Sequence, residues 1–303
     1  MKVKFWGVRG SIPVPGPDTI RYGGNTSCVE VVPGDGTTLI IDAGTGIRKL
    51  GKQLMRGASG RGEGDIHLLI SHTHWDHIQG LPFFAPLYRS GNRITLYARE
   101  QDDKHLDMVL RSATEDPYFP VPFDAAQATV SFRELREGDS FGVGACQVRC
   151  ARLNHPWIAL GYRIQDGDRA VAYVSDTAPF VDLILERDFI AAPPRPGESP
   201  SEEDQAKLAK MEIDLVELCR GCQFVVFDTM FSLAEYRQRP HWGHSAPEHA
   251  VEILRRAGVG RLALYHHGPT RTDAQMDEVV AEARRNAPDM EIVGAAELTE
   301  FEV

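Results

Sequence analysis

Four potential metal ligands lie within six residues of this 303-residue chain. They are His72, His74, Asp76 and His77, spaced as H-x-H-x-D-H. Neutral imidazole and carboxylate are the ligands that borderline divalent ions such as zinc accept. Three unrelated surface histidines would be the alternative interpretation, but this density of ligand types favours a metal site.

The elements around this segment explain how it could hold an ion. An apolar, β-compatible run occupies residues 66–70, directly before the segment, and residues 78–82 after it could begin a helix. A strand end fixes the start of such a loop, so that its alternate side chains can converge on one point. We therefore expect the four ligands in a loop at the end of a strand.

The H-x-H-x-D-H segment resembles the signature of the metallo-β-lactamase-fold hydrolases and matches its spacing residue for residue. That family takes further ligands from later loops, and three candidates follow in the expected order. The resemblance implies seven ligands for two ions: His72, His74 and His155 for the first, Asp76, His77 and His266 for the second, and Asp176 as the bridge.

The resemblance also implies the chemistry of the pair of ions. Two ions about 3.5–4 Å apart hold a hydroxide between them and clamp the oxygens of the group under attack. Zn²⁺ is the expected metal, with Mn²⁺ as the alternative. His267 competes with His266 for the last position. A strand alternates its faces, so only one of the two should point inward, and the family spacing favours His266.

Two later stretches resemble paired motifs of the phosphodiesterase branch that includes the tRNA 3′-processing enzymes. Asp228 lies in D-T-M-F and His244 in G-H-S-A. In that branch an acidic residue orients a histidine that protonates the leaving oxygen. The branch usually has Glu where this chain has Asp228, so the reach of the shorter carboxylate is left open. The catalytic residues implied are Asp76, His244 and Asp228, although His244 could instead be a histidine at a helix N-terminus beside a capping Ser245.

The function expected from these residues is that of a dinuclear zinc hydrolase. It would cleave a small phosphodiester, with a cyclic nucleotide as one example, by attack of the bridging hydroxide with His244 as general acid. An acyl hydrolase (a lactonase or thioesterase) on the same metal site is a second hypothesis, in which Asp228 and His244 are idle. A catalytically silent metal-binding protein is the third.

The charge of the chain bears on its partners. Acidic residues number 43 against 33 basic residues, for a net charge of −10. Nucleic acids are bound mainly through Lys and Arg on phosphates. The Pro-rich stretch 187–210, where the RNA-processing relatives carry a basic arm, has no excess of basic residues. We therefore expect a small-molecule substrate and expect tRNA or long nucleic acid to be an unlikely partner. The sequence leaves a homodimer open.

The N-terminus enters a strand pattern directly, without a signal peptide, and no run reaches membrane-spanning length, so we expect a cytoplasmic protein without a membrane partner. The five cysteines are too few and scattered for a disulfide framework. Cys219-x-x-Cys222 is a lone motif, which we interpret as two ordinary residues rather than a redox pair or half of a zinc site.

Strand pairs alternating with helical patterns predict a mixed α/β protein. The resemblance makes this a four-layer αββα sandwich, with two mixed β-sheets flanked by helices. We expect a single domain, 1–303, with a Pro-rich acidic insertion near 187–210. Helices are predicted at 102–113 and from Met211, and the aromatic loop 116–123 is either a pocket wall or a packed surface loop. The resemblance gives Asp42 a supporting role behind the metal loops, and its alternative is a helix N-cap.

Overall fold

The computed structural model describes residues 1–100, 106–112, 114, 119–156, 158–181 and 201–303. The strands in these residues are β1 (Lys2–Gly7), β2 (Cys28–Val32), β3 (Thr38–Ile41), β4 (Asp65–Leu69), β5 (Arg93–Arg99), β6 (Thr129–Leu135), β7 (Ser140–Val143), β8 (Cys146–Arg152), β9 (Leu160–Asp166), β10 (Arg169–Val174), β11 (Phe224–Asp228), β12 (Arg261–Tyr265), β13 (Glu291–Gly294) and β14 (Glu300–Glu302). The α-helices are α1 (Ile47–Leu54), α2 (Ala58–Arg61), α3 (Trp75–Ile78), α4 (Leu106–Ser112), α5 (Glu202–Cys219), α6 (Leu233–Gln238), α7 (Pro247–Ala257) and α8 (Asp273–Asn286).

The first of two compact units contains Met1–Arg136, Gly142–Cys146 and Ala296–Glu302. Its sheet has the strand order β14-β1-β2-β3-β4-β5-β6. The pairs from β14 to β3 are antiparallel, and the pairs from β3 to β6 are parallel. Helix α1 buries Ile47 and Leu50 in the same apolar cluster as Ile66 and Leu68 of β4. One face of a strand repeats every two residues, so this alternation fixes which side of β4 meets the helix.

The second unit contains Glu137–Phe141, Gln147–Ala295 and Val303. Its sheet has the strand order β13-β12-β11-β10-β9-β8-β7. Strands β10 to β13 are parallel neighbours, whereas β10 pairs with β9 and β9 with β8 in antiparallel fashion. Helix α5 packs against β9, β10 and α7, and α8 packs against β13. The prediction of two mixed β-sheets flanked by helices is confirmed.

The structure places one helix boundary differently from the prediction. Helix α5 begins at Glu202, not at Met211, because Ser201 accepts a hydrogen bond from the Asp204 N–H as its N-cap and three acidic residues occupy the first turn. The rest of the predicted insertion, 187–200, lies outside the described residues, as do 102–105 and 113 of the predicted helix and 116–118 of the aromatic loop. The single domain stays a prediction. No helix among the described residues is long and apolar enough to cross a membrane.

Candidate metal centre

The first group of predicted ligands follows β4. Because β3 and β4 are parallel neighbours, their carboxyl ends meet at one edge of the sheet. Asp42 directly follows β3, and its Oδ1 accepts a hydrogen bond from the Ser71 N–H at 2.7 Å. The backbone of Asp42 has φ of 62°, which is costly for a residue other than glycine. Asp42 is not a helix N-cap, since that position before α1 belongs to Gly46.

Asp42 and Ser71 orient the imidazoles of this loop. Asp42 Oδ2 accepts from the Ser71 hydroxyl at 2.9 Å and lies 2.8 Å from His77 Nδ1. The Ser71 hydroxyl, having donated its proton, is left to accept from His72 Nδ1 at 3.1 Å. Both rings therefore carry hydrogen on Nδ1, which leaves the Nε2 lone pairs for a ligand. Such outer hydrogen bonds are the usual way in which a protein fixes metal-binding histidines.

The carboxylate of Asp76 has a contact that the sequence did not predict. Its Oδ2 accepts the backbone N–H of Ser11 at 2.7 Å, from the Gly- and Pro-rich loop after β1. Ser11 has φ of 65°, again a left-handed conformation. The signal in the sequence is the density of glycine and proline between Gly7 and Gly24, which indicates a constrained loop but not its partner.

The donor set of this loop fits a divalent metal ion. His72 Nε2 lies 3.0 Å from His74 Nδ1, and His77 Nε2 lies 3.3 Å from Asp76 Oδ2. Two ligands of one tetrahedral zinc ion, each bonded at about 2.0–2.1 Å, lie about 3.3 Å apart. The spacing of both pairs is close to that value. Imidazole and carboxylate are also the appropriate chemistry for zinc or manganese.

The second unit brings another group together at the ends of its parallel strands. Asp176 follows β10, Asp228 ends β11 and His266 follows β12. These three strands are neighbours, so their carboxyl ends share one edge of the sheet. His266 Nε2 lies 3.3 Å from Asp176 Oδ1, and all three side chains are buried. Together with His244, they offer ligand atoms that lie within 4.8 Å of one another.

His266 and His267 have different contacts. His266 faces Asp176, whereas His267 Nε2 lies 2.7 Å from the Ala295 carbonyl oxygen. His266 has φ of 58°, so the strand twists out of its regular alternation at this residue. The inward position of His266 agrees with the family spacing.

His155 is fixed by a close approach of Gly243. Its Nδ1 lies 2.8 Å from the Gly243 carbonyl oxygen, which accepts the proton and leaves Nε2 available as a ligand. His155 Nε2 lies 3.8 Å from Asp176 Oδ2. A Cβ atom at residue 243 would lie 2.3 Å from His155 Nδ1, and φ there is 80°. Both the space and the backbone conformation therefore require glycine.

Asp228 and His244 form a buried pair. His244 Nδ1 lies 3.0 Å from Asp228 Oδ2, so the shorter carboxylate does reach the ring. Asp228 also accepts from the Thr177 N–H at 3.2 Å and the Met230 N–H at 3.1 Å. Ser245 is no helix cap, because its hydroxyl donates to the Thr177 carbonyl and α7 begins at Pro247. With Nδ1 held by the carboxylate, the Nε2 of His244 can hold or release a proton.

Comparison with known proteins gives the family. Residues 37–188 match the model of the beta-lactamase superfamily domain. Ribonuclease Z of Haloarcula marismortui is 25% identical over 322 aligned residues, which cover 97% of this chain and 94% of the relative. Among solved structures, the metallo-beta-lactamase fold protein YhfI of Bacillus subtilis has a TM-score of 0.68 at 16% identity, covering 100% of this chain and 98% of that one. Human tRNase Z, short form, has a TM-score of 0.59 at 20% identity, covering 100% and 99%.

These relatives correct one expectation. The prediction that tRNA or long nucleic acid is an unlikely partner is wrong, because the curated relatives that match nearly the whole chain are ribonuclease Z enzymes. The net charge of −10 is a sum over the whole chain. Phosphates are bound by a local group of cations, which that sum does not describe.

The two groups of imidazoles and carboxylates agree with the family match. The role of each residue in these groups stays a prediction. The expectation of a metallo-β-lactamase fold, and of a hydrolase related to ribonuclease Z, is confirmed. The chain is similar to ribonuclease Z and is a metal-dependent hydrolase that belongs to the beta-lactamase superfamily.

Proposed function

We propose that this protein hydrolyses nucleotide phosphodiester bonds with two divalent ions, zinc in the first instance. The observation that carries the proposal is the buried Asp228–His244 pair next to the candidate ligands Asp176 and His266. When a phosphodiester is hydrolysed, the leaving group is an alkoxide. An alkoxide is a poor leaving group and needs a proton donor. In an acyl hydrolase with the same metal ligands, Asp228 and His244 would have no role in the reaction.

The ions would be held by side chains that are already oriented by hydrogen bonds. We assign His72, His74 and His155 to one ion, Asp76, His77 and His266 to the other, and Asp176 to both. Bound divalent ions of this kind activate water near neutral pH and polarise phosphoryl oxygens. The hydrogen bonds from Asp42, Ser71 and the Gly243 carbonyl support this assignment because they fix the imidazole tautomers.

His244 would act on the leaving oxygen. Asp228 holds its Nδ1, so the protonated ring carries its transferable hydrogen on Nε2. The two backbone N–H donors on Asp228 hold that carboxylate in one orientation. Asp228 would thus be a positioning residue, and His244 the general acid.

Two substrate classes share this chemistry. The ribonuclease Z relatives favour an RNA phosphodiester, such as the bond that a tRNA 3′-processing enzyme cuts. A small diester, including a cyclic nucleotide, is the second class, because the groups assigned to the reaction would act only on the phosphate and the leaving oxygen.

One panel tests the proposal. The pure protein, loaded with zinc or with manganese, is assayed on precursor tRNA, cyclic nucleotides, bis(p-nitrophenyl) phosphate and a lactone. We expect turnover of at least one phosphodiester and loss of that turnover in His155→Ala. Hydrolysis of the lactone alone would replace the proposal by the acyl-hydrolase hypothesis, and no turnover with any metal would favour the silent metal-binding protein.

A further inference from the structure

The segment just before His244 carries an exposed tryptophan that the proposed reaction does not use. Trp242 keeps 45% of its surface exposed, which is unusual for the largest aromatic side chain in a globular protein. The guanidinium of Arg239 lies 5.1 Å from the centre of its ring. Arg239 is itself exposed, and in the described part of the chain it forms no ion pair. An exposed indole beside an unpaired guanidinium offers a stacking surface and a positive charge together.

Trp242 is connected to His244 through the ring of Phe231. Its ring centroid lies 6.4 Å from that of Phe231, and the Phe231 centroid lies 5.6 Å from that of His244. The Phe231 N–H donates to the Ser245 carbonyl oxygen at 3.1 Å. The left-handed Gly243, which separates Trp242 from His244, is held against His155. A ligand on the indole would therefore lie near the candidate general acid.

The local charge suits an anion even though the whole chain is acidic. Between Ser232 and Gly243 the single acidic residue is Glu235, and Arg271 neutralises it at 2.6 Å. Arg237 and Arg239 remain as exposed cations, without an ion pair among the residues that the structure describes. This segment is thus locally basic, although the net charge of the whole chain is −10.

We propose that Trp242 and Arg239 form a nucleotide-binding surface, on which a nucleobase stacks on the indole and the guanidinium contacts a phosphate. Aromatic rings with interspersed cations are the usual means of binding unpaired nucleotides, because every base has a face to stack. The ligand is a nucleotide, either free or at the end of a single RNA strand. This inference rests on the proposed function for its biological meaning, but not for its test.

The test is binding of adenosine 5′-monophosphate, which has no diester to cleave, to the metal-loaded protein by calorimetry. Ribose 5-phosphate, which lacks the base, is the matched probe. Removing one base–aromatic stack costs about 1–3 kcal/mol, so Trp242→Ala should raise the Kd for the nucleotide about 5- to 150-fold. The Kd for ribose 5-phosphate should change far less, and Trp242→Phe should restore most of the nucleotide affinity.

Arg239→Ala should weaken both probes, because each carries the phosphate. Arg285→Ala, which removes an exposed cation from the far part of α8, is the control and should weaken neither. Melting curves of all variants show whether the fold is kept. Equal losses for both probes in Trp242→Ala, or no loss for the nucleotide, would overturn the proposal.

A competing RNA octamer separates the two sources of the nucleotide. Displacement of adenosine 5′-monophosphate at much lower octamer concentration identifies a strand end as the ligand, and equal potency identifies a free nucleotide. Trp242-dependent binding in a protein without phosphodiesterase turnover would keep this inference and refute the proposed function. Turnover of nucleotide substrates with KM unchanged in Trp242→Ala would keep the proposed function and refute this inference.

Discussion

Replacing His244 by alanine separates proton donation from every other contribution to the proposed reaction. General acid catalysis typically contributes about 10²–10⁴-fold, which corresponds to about 2.7–5.5 kcal/mol of the activation barrier. For a substrate with an alkoxide leaving group, such as a ribonucleotide diester, we expect kcat/KM of His244→Ala to fall within that range. For bis(p-nitrophenyl) phosphate the fall should be much smaller, because p-nitrophenolate is a weak base and leaves without a proton.

The structure indicates that this substitution leaves the fold intact. Asp228 loses the ring at 3.0 Å but keeps the Thr177 and Met230 N–H donors, so the buried carboxylate still has a partner on each oxygen. The loss of one such hydrogen bond costs about 1–3 kcal/mol of the free energy of unfolding, which a domain of ordinary stability tolerates. Urea denaturation checks this expectation.

Two results would refute this reasoning. A loss of equal size on both substrate types would show that His244 positions the substrate or supports the fold and is not the acid. His244 Nδ1 also lies 3.9 Å from Asp176 Oδ2, so the metal content must be measured alongside. A variant that loses an ion would place His244 among the ligands.

Metal loading, thiol reactivity and acid stability provide further tests. Asp76→Ala should lower the bound metal, measured by mass spectrometry after dialysis, from two ions to one; retention of two would remove Asp76 from the ligand set. Burial raises the pKa of Cys222 to about 11 and that of Cys219 well above 9.0, so both thiols should react with Ellman's reagent at pH 8 only after unfolding, and rapid native labelling of both would contradict this. Burial lowers the pKa of His67 below 6.5, so the unfolded state takes up its proton first and the free energy of unfolding falls as the pH drops below about 6.5. His67→Gln should reduce that fall in urea titrations at pH 7.5 and 5.5, and an unchanged fall would contradict it.

The position of the loop with the first four candidate ligands could be predicted because these residues are close in sequence and directly follow a strand. Four donors in six residues need only a preceding strand to be brought together. The candidate ligands after β10 and β12 needed the order of the family motifs, because no local spacing connects Asp176 with His266. The parallel neighbours β10, β11 and β12 then bring the carboxyl ends of their strands to one edge.

Other features depend on backbone conformations that side-chain patterns do not encode. Asp42, Ser11 and His266 all have left-handed φ values, which redirect the chain at points where a sequence reading assumes regular structure. The N–H of Ser11, a backbone group, has no signature in the sequence at all.

The predicted helix start at Met211 was too late. Ser201 followed by three acidic residues is a helix start that suits both the cap and the helix dipole. The expectation that nucleic acid is an unlikely partner relied on net charge and on the missing basic arm, whereas Arg237 and Arg239 lie together in the segment before His244.

The most direct test of a dinuclear phosphodiesterase is a metal titration followed by turnover. Metal-free protein is titrated with zinc while hydrolysis of bis(p-nitrophenyl) phosphate is recorded. The seven assigned ligands predict that activity rises to a plateau at two zinc ions per chain. A plateau at one ion, or no hydrolysis at any zinc concentration, would contradict the account.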